Sequence, residues 1–243
     1  MKISLLYFIC CLFLFSCHKN ETETLTLIGK EYYPLVIGKT LTYNLDSIIY
    51  DPILTGGVKI DTTHWQIREV VKDTFKDNEG VLQYKIDRFE RVRGTLNWKT
   101  AKVVTAAFTS IYALRQEDNL CFIKFPLAFG ENTTWNGAAF NDSTKIIIAG
   151  ETLDLFSKKW TSTIVSFGKK ETIGTQSFDD VLTVLSQIDP KILTEKRFVL
   201  EKYAKNVGLV YREYHVLDTQ KLDAAVAWEK KAEKGAIIKQ FID

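Results

Sequence analysis

The side chains best suited to nucleophilic, acid–base or metal chemistry are three histidines and four cysteines, and their spacing restricts what they can do. Asp61, Thr62, Thr63 and His64 would set a carboxylate beside an imidazole for general-base work, although two polar residues at a strand entrance are ordinarily solvated. His215 follows Tyr214 in a strand-like stretch and reads as an edge or half-buried residue. No Gly-x-Ser-x-Gly, Gly-x-Gly-x-x-Gly or His-Glu-x-x-His occurs, and Gly38-Lys39-Thr40 lacks the earlier glycine of a phosphate-cradling loop. His18, His64 and His215 are too scattered for a zinc site, so neither metal nor cofactor is expected. A hydrolase whose dyad is assembled from residues distant in sequence leaves no local spacing to read, and it stands as an alternative.

The cysteines carry more information. Cys10, Cys11 and Cys17 fall early and Cys121 stands alone in Leu-Cys-Phe-Ile-Lys-Phe, which is no disulfide framework; Cys121 reads as a small buried hydrophobe. Lys2 is followed by an uncharged apolar run over 3–16, short for a bilayer-spanning helix and right for an export leader. An ordinary leader or an N-terminal anchor helix is the plainer reading. The tetrad Leu14, Phe15, Ser16, Cys17 resembles the lipobox of bacterial lipoproteins, with Phe15 bulkier than usual. That resemblance implies cleavage before Cys17, diacylglycerol on its thiol and a fatty acyl chain such as palmitate on the new amino terminus. Two or three such chains make a lasting anchor where one gives marginal binding. His18 stands where enteric inner-membrane lipoproteins carry Asp, so the resemblance implies an outer-membrane, lipid-anchored domain. The division is a signal peptide over 1–16, a polar tether over 17–30 and an exported domain over 31–243.

Composition supports one folded domain: 243 residues, 46% apolar, 32 Lys and Arg against 30 Asp and Glu. So even a balance is unsuited to nucleic acid. The basic run Lys85, Arg88, Arg91, Arg93, Lys99 and Lys102, interleaved with Tyr84, Phe89 and Trp98, also holds Asp87 and Glu90 and reads as a solvated sheet face. Each tryptophan, Trp65, Trp98, Trp135, Trp160 and Trp228, is expected to fill core; exposed in a row, they would suit a glycan-binding module.

Alternation of apolar and polar residues predicts strands. Over 39–50, Leu41, Tyr43, Leu45 and Ile49 face one way and Thr40, Thr42, Asn44 and Asp46 the other; over 81–92, Leu82, Tyr84, Ile86 and Val92 oppose Gln83, Lys85, Asp87 and Arg91. Further strands are expected over 64–72, 96–108, 120–125, 145–149, 160–167, 198–204, 209–216 and 236–241. Phe178 to Ile188 suits helix or strand and leans to strand on its Val and Thr content, and 218–235 suits a short helix stopped by Gly235. An antiparallel meander follows.

One stretch is echoed. Tyr33-Pro-Leu-Val-Ile-Gly-Lys-Thr-Leu-Thr-Tyr-Asn44 matches Phe125-Pro-Leu-Ala-Phe-Gly-Glu-Asn-Thr-Thr-Trp-Asn136 in aromatic, proline, glycine and asparagine register. A recurring turn-to-strand device or a duplicated half-barrel would produce it. These blocks, with Ser177-Phe-Asp-Asp-Val-Leu-Thr-Val184 and Glu201-Lys-Tyr-Ala-Lys-Asn-Val-Gly-Leu-Val-Tyr-Arg-Glu-Tyr214, resemble a group of uncharacterised Bacteroidota lipoproteins. The resemblance implies a mainly β fold, a single strongly curved antiparallel sheet or half-barrel of lipoprotein-carrier or lipocalin-like kind with one short C-terminal helix. It implies no activity. The expected function is non-enzymatic: a binding or scaffold domain for an apolar ligand or an envelope protein partner. Metabolic labelling with a clickable fatty acid should mark the wild type and lose its signal in Cys17→Ala; equal label in both removes the anchor assignment.

Overall fold

The computed structural model describes residues 27–141, 144–156 and 158–243; Cys17 and the leader lie outside the described residues. Among the described residues fourteen strands are formed: β1 (Thr40–Pro52), β2 (Val58–Lys76), β3 (Leu82–Val92), β4 (Lys99–Phe108), β5 (Tyr112–Glu117), β6 (Leu120–Pro126), β7 (Thr134–Trp135), β8 (Lys145–Ile148), β9 (Glu151–Asp154), β10 (Thr161–Ile173), β11 (Gln176–Gln187), β12 (Glu195–Ala204), β13 (Gly208–Asp218) and β14 (Lys234–Ile242). Twelve of them make one antiparallel sheet in the order β6-β5-β4-β3-β2-β1-β14-β13-β12-β11-β10-β7, and β8 and β9 form a separate hairpin. The fold is mainly β, and the expected curved sheet goes further than a half-barrel: it nearly closes on itself.

Closure is made without a continuous ladder. Ile123 N–H donates to Gly137 O at 2.9 Å, Trp135 Nε1 donates to Ile123 O at 3.0 Å, and the Asn141 amide brackets the Cys121 backbone, accepting from its N–H and donating to its C=O at 2.9 Å each. Thus the free edge of β6 is satisfied by the chain that follows β7, which removes an open edge that would otherwise template association. Cys121 is half-buried in this seam, not the core residue expected of it, because its strand is the one at the sheet margin.

The interior is layered, and neighbouring antiparallel strands cross the layers in opposite directions. At one pole lies an apolar core of Val71, Ile86, Val104, Ala113, Phe125, Leu182 and Tyr203. A short 3-10 helix (Ile28–Tyr32) plugs it: Gly29 N–H donates to Leu127 O at 2.9 Å, Tyr32 Oη to Asp180 at 2.5 Å, and Asn206 N–H to Glu31 O at 2.7 Å. Residues 28–30, placed in the tether on sequence grounds, are therefore docked on the barrel. A Cβ on Gly29 would come within 2.8 Å of Leu127 Cα, so glycine is what lets the plug seat. The echoed stretches meet here, with the rings of Tyr33 and Phe125 edge-to-face at 6.2 Å, and both rings pack on Tyr203.

At the other pole Leu153 of the β8–β9 hairpin, with Leu155 and Trp160, packs on Ile188 and Val216. Arg197, 1% exposed, fixes the hairpin by donating from Nε and Nη2 to Asp154 O at 3.0 and 2.8 Å, and from Nη1 to Leu217 O at 2.9 Å. The ambiguous 178–188 segment is strand, as its β-branched content leaned. The C-terminal helix is a single turn, α1 (Trp228–Lys231), shorter than 218–235 offered: Leu222 stays exposed, while Trp228 and Ala232 cover Tyr50, Leu217 and Ile237 on the outer face. That outer cover explains why β1 buries Tyr43 inward near its start and Tyr50 outward near its end.

Gly235, at φ +116°, carries β14 past β13, and an added Cβ would sit 1.9 Å from Val216 O. Gly235→Ala should lower unfolding free energy by about 3 kcal/mol, through backbone strain and overpacking together. Urea denaturation reads this directly, and an unchanged midpoint would contradict the close approach.

Candidate functional site

Between the apolar core and the hairpin lies a belt of charge. Parity explains it: Glu69 shares a face with Ile67 and Val71 of β2, Arg88 with Ile86 of β3, Arg115 with Ala113 of β5, and Arg212 with Tyr214 of β13, so alternation that aims apolar side chains inward aims these inward too. Lys102, Glu117, Lys124 and Glu201 complete the belt. Five cations thus face three carboxylates, and each carboxylate is shared. Glu69 accepts from Arg115 Nη1 and Nη2 at 3.1 and 2.6 Å and lies 3.5 Å from Arg88. Glu117 meets Lys102 at 2.8 Å, Arg115 at 3.2 Å and Arg88 at 3.4 Å. Glu201 accepts from Lys124 and Arg212 at 2.7 Å each and from Tyr203 Oη at 2.8 Å.

Burial and neighbouring charge compete in this belt. Burial alone would raise all three carboxyls, yet the guanidinium and ammonium groups beside them win: Glu69 and Glu117 are held below the ordinary range and Glu201 is lowered to about 2. Burial pushes Lys124 down to about 8; Glu201 opposes, while Arg212 and Arg115 add to the fall. One carboxylate cannot fully satisfy two buried cations. Below about pH 8 the protonated Lys124 therefore costs about 3 kcal/mol relative to its unfolded value near ~10.4, a cost relieved only as pH rises between the two.

On the far side of the belt from the core is a cavity of about 480 Å³, within the ~300–1,000 Å³ range of small-ligand sites. Arg88, Lys102, Arg115, Lys124 and Arg212 form its floor with Glu117 and Glu201, and Leu45, Phe122, Phe156, Trp160, Val199 and Ile238 supply apolar wall. Glu69 lies behind the floor, facing a small void of about 50 Å³ at the core side. Gln240, 2% exposed and on the cavity wall beside Arg212, holds an amide Nε2 with no hydrogen-bond partner among the described residues.

The sequence-derived candidates sit elsewhere. His64 Nδ1 lies 2.7 Å from Asp46, a cross-strand partner, while Asp61 pairs with Lys59 at 2.6 Å, so the Asp61–His64 pairing does not form. His215 Nε2 lies 2.8 Å from Glu213 on the outer face, its ring tilted on Phe198. Among the described residues neither imidazole is hydrogen-bonded to a hydroxyl. The basic run is not one solvated face: Arg88 and Lys102 turn into the belt, while Arg91 stacks on Trp98 at 4.4 Å outside and Arg68 lies between Phe89 and Trp98 at 5.1 and 4.6 Å. The tryptophans do not form a row: Trp160 lines the cavity, Trp135 the seam, Trp98 the arginine stack and Trp228 the outer cover. Among the described residues no cluster of His, Cys, Asp and Glu is arranged to hold a metal, and no helix is long and apolar enough to cross a membrane.

No family model matches the chain. No curated protein matches it in sequence. Among solved structures, an inferred exported protein with a YmcC-like fold from Bacteroides fragilis is 15% identical, with a TM-score of 0.37, covering 87% of this chain and 98% of its own. An inferred lipoprotein from Parabacteroides distasonis is 13% identical, with a TM-score of 0.31 and the same coverages.

Because Glu201 is lowered to about 2 from an unfolded ~4.3, its stabilisation is complete above about pH 4.5 and drains as pH falls toward 2. Glu201→Gln should cost about 3 kcal/mol at pH 7, where Lys124 and Arg212 lose their shared carboxylate. The gap to wild type should narrow from pH 4.5 to 3 in denaturation curves; a gap independent of pH would mean that Glu201 is not the ionised centre of the belt.

Proposed function

We propose that this chain is an envelope lipoprotein, held at the outer membrane by acyl groups on Cys17, whose barrel binds an apolar ligand without chemically altering it. The observation that carries the binding reading is the cavity of about 480 Å³, walled by Trp160, Phe156, Leu155 and Val199 and shut off from the apolar core by the charged belt. Space of that size inside a nearly closed sheet departs from the dense packing of an ordinary interior, and its walls would gain by burying hydrocarbon. The lipobox-like tetrad supports the anchor, and among the described residues neither imidazole is hydrogen-bonded to a hydroxyl, the one at this pairing, Tyr211 Oη, donating to Glu213, which favours binding over hydrolysis.

Trp160 provides the readout, since it is 6% exposed and on the cavity wall. With the full chain in phosphatidylcholine nanodiscs, ω-bromoundecanol should quench tryptophan emission saturably, and Trp160→Phe should lack that saturable component. Bromine dissolved in the disc cannot reach a shielded indole, so identical titrations of the two proteins would sink the binding reading.

A further inference from the structure

The surplus of cations on the cavity floor is not explained by stability. Five cations share three belt carboxylates and, at the rim, Asp118, and the carboxylate nearest the core, Glu69, faces away from the cavity into the small void. At the rim Lys145 and Asp118 both line the cavity, and Asp118 pairs with Lys102 at 2.6 Å. Lys124 has 10% side-chain exposure, shares its single carboxylate with Arg212, and lies against apolar wall at Phe122. The wall adds one donor without a matching acceptor among the described residues, the Gln240 amide; the Ser162 and Ser186 hydroxyls, hydrogen-bonded to each other at 2.7 Å, also line the cavity. A site with donors at its floor and hydrocarbon-compatible walls above them is built for a molecule with matching ends.

Resting on the proposed binding reading, we infer that the cavity's occupant is an amphiphile with an anionic head, of the carboxylate, phosphate or sulfate class, seated head-down on Lys124, Arg212, Arg115, Arg88 and Lys102 with its hydrocarbon against Trp160, Phe156 and Ile238. The head supplies the oxygen ligands that three carboxylates cannot. The chain removes the apolar wall from water. A bare phosphate would satisfy the floor and leave the wall wet, and a neutral alcohol would do the reverse, which is why both ends are specified together. Burial lowers Lys124 to about 8, and a bound anion would raise it again, keeping the ammonium charged to higher pH.

The same Trp160 quenching assay, with the full chain in phosphatidylcholine nanodiscs, separates the outcomes. ω-Bromoundecanoic acid should bind at least about ten-fold more tightly than ω-bromoundecanol, and ω-bromoundecyltrimethylammonium more weakly than either. Lys124→Met, which leaves Glu201 with Arg212 and Tyr203, should lower the ratio of acid to alcohol affinity about ten-fold; Lys102→Gln, which leaves Glu117 with Arg88 and Arg115, serves if the first variant fails to fold. The acid's affinity should also fall as pH rises through about 8 in the wild type and not in Lys124→Met. Equal affinities for acid and alcohol, or preference for the ammonium, overturn the anionic head while leaving an apolar-ligand barrel intact. Inorganic phosphate displacing the acid at micromolar concentration would overturn the amphiphile in favour of a free anion. Saturable quenching by none of the three chains removes the binding reading itself.

Discussion

A buried carboxylate between two buried cations is the constraint on which the barrel's interior turns. Glu201 on β12 reaches Lys124 on β6 and Arg212 on β13, so a single side chain ties a margin of the sheet to its middle across the lumen. Moving these charges out of water is expensive, and the geometry recovers it only while every lone pair and proton is engaged. The belt therefore divides the molecule: on one side aromatic rings pack edge-to-face around Tyr33, Phe125 and Tyr203, and on the other the same strands diverge around open space. Remove the belt and the apolar core would have no reason to stop where it does.

Much of the architecture was legible in the residues. Alternation located most of the long strands to within a few positions, and the β-branched content of 178–188 outweighed its helical spacing because that segment pairs on both sides within the sheet. Of the short strands, β8 follows the expectation over 145–149 and three others escape it. β5, β7 and β9 are two to six residues long, too brief for a period-two signal, and β9 pairs with β8 while Arg197 reaches its carbonyl from β12. The echoed Pro-Leu-x-x-Gly stretches looked like a shared turn; that their leading aromatics touch is a tertiary fact with no local sign.

The site was harder to see, and for a definite reason. Charged residues face outward by default, so the basic run places Arg88 with its neighbours on a wet face even though it shares parity with Ile86. Parity was the available signal, and Glu69 between Ile67 and Val71 carried it as well. Alternation alone does not reveal which inward charges have partners, since Lys124, Glu201 and Arg212 come from strands far apart in the chain. The histidines drew attention by type, but type without a shared cavity has little chemical meaning.

The plug at Ile28–Tyr32 gives the barrel a top and a bottom. Polypeptide from the amino-terminal side joins the barrel at the sealed pole, where Gly29 presses on Leu127, and the hairpin that borders the cavity sits at the opposite pole. Hung from Cys17 in the proposed way, the domain would carry its sealed base on the side of the tether and its chamber on the side turned outward. Its contents would be traded with the aqueous compartment or with a neighbour docking from beyond, and not with the leaflet that holds it.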